Sequence, residues 1–174
     1  MAKKTSGGLI RAALDFLRKN RRRGGDTDRV RGDRLHHVIH GDVHRDRGYG
    51  TGYHHRPGDQ DLPDRRIGPV EASHPNGVYD ARPEYFDQGP PPVWLPKKYN
   101  AKNTFFPDSW SANDIDDGIS EAFKNGVKHS DGKWYGEHNG VYISGYYDSA
   151  TGRIDNGFPV SPTRYDEARE ALGK

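Results

Sequence analysis

A chain of 174 residues with 31% hydrophobic and 30% charged side chains, 22 Gly and 12 Pro has room for about one polar, loop-rich domain. It contains no cysteine, which excludes a disulfide scaffold, a thiolate metal site and a cysteine nucleophile. The formal net charge is +2, with the basic excess near the N-terminus, and no segment approaches the ~18 apolar residues that span a membrane.

Leu9, Ile10, Ala13, Leu14 and Leu17 fall on one face of an amphipathic helix over Gly8–Asn20. The stretch Leu9–Leu17 is too short and too charged for the apolar part of a signal peptide. A basic turn, Arg21–Gly25, follows. Its run Arg21-Arg22-Arg23 suits either a polyanionic partner or a solvated linker. Residues 1–35 therefore read as an N-terminal linker with an amphipathic helix, either joining a longer parent or packing on its own domain, and 36–174 as the domain proper. Residues 36–58 hold six of the nine histidines among glycines, a loop-rich segment rather than a core pattern. Residues 57–76 read as a long loop. Asn76-Gly77 turns into a strand over Val78–Arg82, and Gln88–Pro92 leads into Val93-Trp94-Leu95. Thr104-Phe105-Phe106 is a buried strand ending at Pro107, and Phe105, Phe106 and Trp110 are core candidates.

The strongest helix signal comes next. Ser111 and Asp114 make a capping box, Ile115, Ile119, Ala122 and Phe123 form an apolar face, and Asn125-Gly126 ends the helix. Strands are expected at Lys133–Tyr135, Val141–Tyr147 and Arg153 to about Phe158, with turns at Gly140 and Thr151-Gly152. A short helix over Tyr165–Leu172 closes an α+β layout.

Two histidine segments could carry chemistry: His37-Val38-Ile39-His40-Gly41-Asp42 and Gly50-Thr51-Gly52-Tyr53-His54-His55. The glycines between them allow a tight fold that brings two imidazoles together. Two imidazoles suit RNA cleavage. One takes the proton of the ribose 2′-OH as it attacks phosphorus, and the other protonates the departing 5′ oxygen. A lysine is the natural third member, stabilising charge on the phosphoryl oxygens, and no metal or other cofactor is required. The residues also allow a zinc site using His36, His37, His40 and His54, although the helical zinc-protease pattern would need Glu where His37 stands. A solvated histidine-rich loop without chemistry, or a basic RNA-binding module, is the other alternative. Lys97 and Lys98 read as solvated, with RNA phosphates as their functional option.

The sequence Lys102-Asn-Thr-Phe-Phe-Pro-Asp-Ser-Trp-Ser111 resembles the Lys-x-Ser/Thr-Phe-Phe-Pro-x-x-Trp-Ser signature of bacterial EndoU domains. His37-Val-Ile-His-Gly-Asp42 is similar to that family's first histidine motif, and Gly52-Tyr53-His54 to its second. Asn76-Gly-Val-Tyr-Asp-Ala81, Trp134-Tyr-Gly136, Asn139-Gly-Val-Tyr-Ile-Ser-Gly145 and Gly152-Arg-Ile-Asp-Asn-Gly-Phe-Pro159 follow in the family's order. The resemblance covers about residues 35–160 and extends to the uridylate-specific endoribonuclease of nidoviruses.

It implies antiparallel sheets forming a central groove. It also implies metal-independent cleavage of single-stranded RNA after uridine, leaving a 2′,3′-cyclic phosphate. His54 would be the base, His37 the acid and Lys102 the electrostatic partner, with His55 the alternative to His54. Asn156 and Phe158 stand where the family often has a Thr and an aromatic that meet the base. The resemblance further implies a toxin module of a larger secreted protein, acting in a target-cell cytoplasm. An immunity protein would be its partner, tRNA one target class, and no membrane anchor or second copy would be needed.

Overall fold

The computed structural model describes residues 6–174, so the first five residues of the expected linker lie outside the described residues. The expected amphipathic helix is α1, Ser6–Asn20. Its apolar face does not point to solvent: Ala13 and Leu17 are buried in the same core as the rest of the chain. Arg23 anchors the following turn. Its guanidinium donates at 2.8 and 2.9 Å to both carboxylate oxygens of the buried Asp116, and at 2.8 Å to the Val30 carbonyl. The fork geometry that makes Arg–carboxylate pairs strong is thus realised within the run at 21–23.

The histidine segment is not a loop. Gly32–Ile39 forms helix α2, with His36 and His37 in its last turn. Leu35, Val38 and Ile39 stand at i, i+3 and i+4 and are buried. The helix spans two turns and begins at Arg31 without a side-chain cap, so the usual start signal is missing. A hairpin of β1 (Asp42–His44) and β2 (Tyr49–Thr51) follows. Two short strands interrupt the expected loop at 57–76, namely β3 (Arg65–Ile67) and β4 (Ala72–Ser73).

From there the strand signals at 78–82, 93–95 and 104–106 are met, while Pro83–Asp87 adds a strand that no signal marked. Strands β5 (Tyr79–Ala81), β6 (Pro83–Asp87), β7 (Val93–Pro96) and β8 (Asn103–Phe105) build two three-stranded antiparallel sheets, ordered β3-β6-β7 and β4-β5-β8. Helix α3, Ala112–Asn125, starts with a complete capping box: the Asp114 amide donates to Ser111 Oγ at 3.0 Å and the Ser111 amide to the Asp114 carboxylate at 2.8 Å. Its face of Ile115, Ile119, Ala122 and Phe123 is buried.

The C-terminal sheet has the order β12-β11-β10-β9, from Phe158–Pro159, Val141–Tyr146, Lys133–His138 and Val127–Lys128. Helix α3 lies tight against β10 because Gly136 carries no side chain: a Cβ there would come 2.1 Å from the Ala122 carbonyl oxygen. The expected strand from Arg153 shrinks to a single bridge, Tyr147 to Ile154, before β12. Helix α4, Tyr165–Ala171, closes the chain. Among the described residues, four antiparallel sheets, none closed into a barrel, and four α-helices make an α+β fold. Phe105, Phe106, Phe123, Trp134, Tyr53 and Tyr85 are fully buried, so aromatic rings supply much of the core of this polar chain.

Candidate active site

A cavity of about 320 Å³ lies between β8 with the glycine-rich turn on one side and the C-terminal sheet on the other. His37, His54, Lys102, Asn156 and Phe158 all line it, together with Lys97, Asn103, Thr104, Ser161 and others. The fold brings the two histidine segments together through the main chain. Tyr53 N–H donates to the His37 carbonyl at 3.2 Å and His54 N–H to the Val38 carbonyl at 2.8 Å. Phe106 N–H, in turn, donates to the His54 carbonyl at 2.9 Å. The turn that permits this needs glycine. Gly52 has φ +73°, and a Cβ there would meet the His37 carbonyl oxygen at 2.1 Å. Tyr53 adopts φ +73° as well, unusual for a non-glycine residue. Its ring is fully buried and its hydroxyl donates to Asp61 at 2.7 Å, which holds the residue in that conformation.

The two imidazoles have different partners. His54 Nδ1–H donates to the Thr104 carbonyl at 2.6 Å, which leaves Nε2 as a lone-pair acceptor. Burial, followed by the neighbouring Lys97 charge, pushes its pKa down to about 3, so the ring is neutral. His37 Nδ1 instead meets the Asp42 carboxylate at 2.6 Å. That hydrogen bond is the main reason Asp42 sits below the usual carboxylate range. His37 lies in the last turn of α2 and Asp42 opens β1, so the pair clamps the helix-to-strand turn.

Lys102, at the mouth of β8, places Nζ 3.1 Å from an oxygen of Asp80. Asp80 is the residue that sequence reasoning missed. It sits in the middle of β5, fully buried, directly across from Thr104. Its carboxylate accepts from Thr104 Oγ1 and Ser161 Oγ, both at 2.6 Å, and forms the ion pair with Lys102. One buried carboxylate thereby ties the lysine, the strand that holds His54, and the segment after β12. The available signal was an aspartate between Tyr79 and Ala81 in a strand whose three residues are all buried. A charge in such a place has to be paired.

Asn156 is oriented by the meander. Its Oδ1 accepts from the Tyr146 amide at 2.9 Å, and its carbonyl accepts from Trp134 Nε1 at 3.0 Å. The acceptor is occupied, so the side-chain NH₂ is the group left to face the cavity. Phe158 stacks beside His54, ring centroids 5.9 Å apart and 20° between planes, and belongs to the cavity wall rather than to the core cluster.

The other histidines go elsewhere. His36 and His40 pack edge to face at 5.3 Å, and the His40 ring meets the Pro63 carbonyl. Among the described residues no group of three or more His, Asp or Glu converges as metal ligands. His55, next to His54 in sequence, is fully buried and lines a separate cavity with Leu9, Phe16 and Trp110, and neither of its ring nitrogens has a hydrogen-bond partner. Burial lowers its pKa to about 4.

That buried neutral ring predicts an acid weakness. Its folded pKa lies below the unfolded value of about 6.5, so the unfolded chain takes up a proton that the folded chain refuses. Stability is whole above pH 6.5 and falls as the pH drops toward 4, by about 3 kcal/mol from His55 alone. Urea melts at pH 7 and pH 4 measure this, and His55→Leu removes its share of the difference, leaving that of the buried His54, while raising stability at pH 7. An unchanged pH slope in the variant would assign the acid sensitivity to other groups.

A profile of the family described as Bacterial EndoU nuclease matches residues 32–161. A Bacillus cereus protein named Toxin is 32% identical over 137 residues, which is 77% of this chain. The matched part is 23% of that relative, so the chain spans about a quarter of its length. With most of its length under the family profile, the chain belongs to the bacterial EndoU nuclease family and is an endoribonuclease.

Proposed function

We propose that the cavity cleaves single-stranded RNA 3′ of uridine by attack of the ribose 2′-OH on the adjacent phosphorus, without a metal. The observation that carries this reading is the difference between the two Nδ1 partners. A carbonyl oxygen fixes His54 as the neutral tautomer with Nε2 free to accept the 2′-OH proton. Asp42 holds the His37 ring by Nδ1, and His37 is the acid that protonates the departing 5′ oxygen. Lys102, steadied by Asp80, stabilises the charge on the phosphoryl oxygens. The P–O5′ bond breaks as the O2′–P bond forms, so the product is a 2′,3′-cyclic phosphate and a free 5′-OH.

The Asn156 NH₂ donates to a carbonyl oxygen of the base, and Phe158 stacks on its face, a contact worth about 1–3 kcal/mol. The match to a longer protein named Toxin supports placing this domain as the toxic module of a larger secreted protein. It would act in the cytoplasm of a target cell, with tRNA among its substrates and an immunity protein as its partner. Residues 1–35 would connect the module to the parent, with α1 docked on the domain through Ala13 and Leu17.

A short RNA with a single uridine, incubated in EDTA with the wild type and with His54→Ala, tests the chemistry. The expected products, read by mass, are a uridine 2′,3′-cyclic phosphate end and a 5′-OH end from the wild type only. An inert wild type under these conditions would sink the proposal.

A further inference from the structure

The cavity contains a second lysine that the proposed chemistry does not use. Lys97 follows β7 and lines the cavity with His37, His54 and Lys102. Two features hold it there. Its backbone bridges to Gly50, in the glycine-rich stretch that leads to His54. Its Nζ donates to Asn103 Oδ1. Asn103 is itself buried, and its NH₂ group is spent on the carbonyls of Gly52, at 2.5 Å, and Tyr53, at 2.8 Å. The chain Lys97–Asn103–Gly52/Tyr53 thus fastens this ammonium to the turn that presents His54.

The two lysines of the cavity differ in charge balance. Lys102 has the Asp80 carboxylate. Among the described residues no carboxylate pairs with Lys97, and burial alone lowers its pKa, to about 8. A cation drawn partly out of water without a counter-charge is unfavourable, and the cost is relieved when an anion enters. Its neighbour Lys98 differs, with Nζ over the ring of the exposed Tyr99 at 5.1 Å.

We propose that Lys97 is an RNA-binding residue of this site, supplying the counter-charge for a backbone phosphate of the strand held against His54. The inference rests on the RNA-cleavage reading for its ligand, and its test is separable from that reading. The probe is a short single-stranded oligonucleotide with 2′-deoxyuridine at the cleavage position, which binds without being cut.

Lys97→Gln keeps an N–H donor for Asn103 and removes the charge. It is expected to weaken binding about tenfold and to reduce the slope of log affinity against log salt by about 0.7, the value for one phosphate on a single strand. Lys97→Arg keeps the charge and is expected to keep the salt slope. Wild-type affinity should fall above pH 8, as the lysine loses its proton, and that fall should be absent in Lys97→Arg.

Equal affinity and equal slope for wild type and Lys97→Gln would overturn the proposal, as would a wild type that fails to bind the probe. A loss shared by both variants with the salt slope unchanged would reduce Lys97 to a structural support of Asn103. RNA cleavage measured in parallel keeps the two readings apart. A wild type that binds the probe with the expected slope but cuts no RNA refutes the cleavage reading and leaves this site standing.

Discussion

His54→Ala is expected to lower kcat for RNA cleavage by about 10²–10⁴-fold, the usual contribution of a positioned general base. The effect should appear in kcat rather than in KM, because the ring acts on the 2′-OH proton during reaction. The pH dependence makes the test sharper. With its pKa held down to about 3, His54 remains an unprotonated base as the pH falls from 7 to 5. The acidic limb of kcat/KM in the wild type should therefore lie well below the 6.5 of a free imidazole, where the base form is finally lost. Initial rates at low substrate across pH 4–8, on protein confirmed folded at each pH, measure this. An acidic limb centred near 6.5 would mean that the ring is solvated rather than buried beside the Lys97 charge. A His55→Leu variant serves as the comparison, since that ring lies outside the cavity and its removal should leave kcat intact.

Asp80→Ala is expected to have the largest combined effect. It removes at once the counter-charge of Lys102 and the buried acceptor of Thr104 and Ser161. Lys102 is 39% exposed and turns to water, whereas the two hydroxyls lose their shared acceptor, at about 1–3 kcal/mol for each left unsatisfied, and denaturant melts should show a loss in that range. The catalytic loss is separate. A lysine without its carboxylate no longer holds one position beside the phosphoryl oxygens, and a misplaced electrostatic group costs about 10²-fold in kcat. Asp80→Asn preserves volume and separates the two effects. It should fold, remain less stable than the wild type, and keep KM while losing kcat. A folded Asp80→Asn protein with full kcat would make Asp80 a purely structural residue.

The legible and illegible parts of this fold differ for identifiable reasons. Helix α3 was readable because its cap, its apolar period and its Asn-Gly stop all agree over fourteen residues. Strands β8 and β11 were readable from runs of aromatic and β-branched residues between turn signals. Helix α2 was not, because eight residues with Arg31 as an uncapped start and two histidines on the polar side present no local pattern stronger than a loop. Its helical state is decided by the burial of Leu35, Val38 and Ile39 against distant parts of the chain. The same holds for β1–β4, each two or three residues long, whose ladder hydrogen bonds rather than their propensities define them.

In the site, residue types and order were available from the chain alone. Two histidines flank glycines, a lysine precedes Thr-Phe-Phe-Pro, and an asparagine and a phenylalanine sit in the last motif. Those features admit RNA cleavage but also a zinc site, and it is their order, matched to the family signature, that points to a nuclease. Only the tertiary structure decided which of two adjacent histidines faces the cavity, since consecutive residues on an extended segment point to opposite sides. It also revealed the partners: the Thr104 carbonyl for His54, Asp42 for His37, and Asp80 for Lys102. Local sequence encodes which side chains are present, whereas proton affinity depends on burial and on groups brought near from as much as fifty residues away.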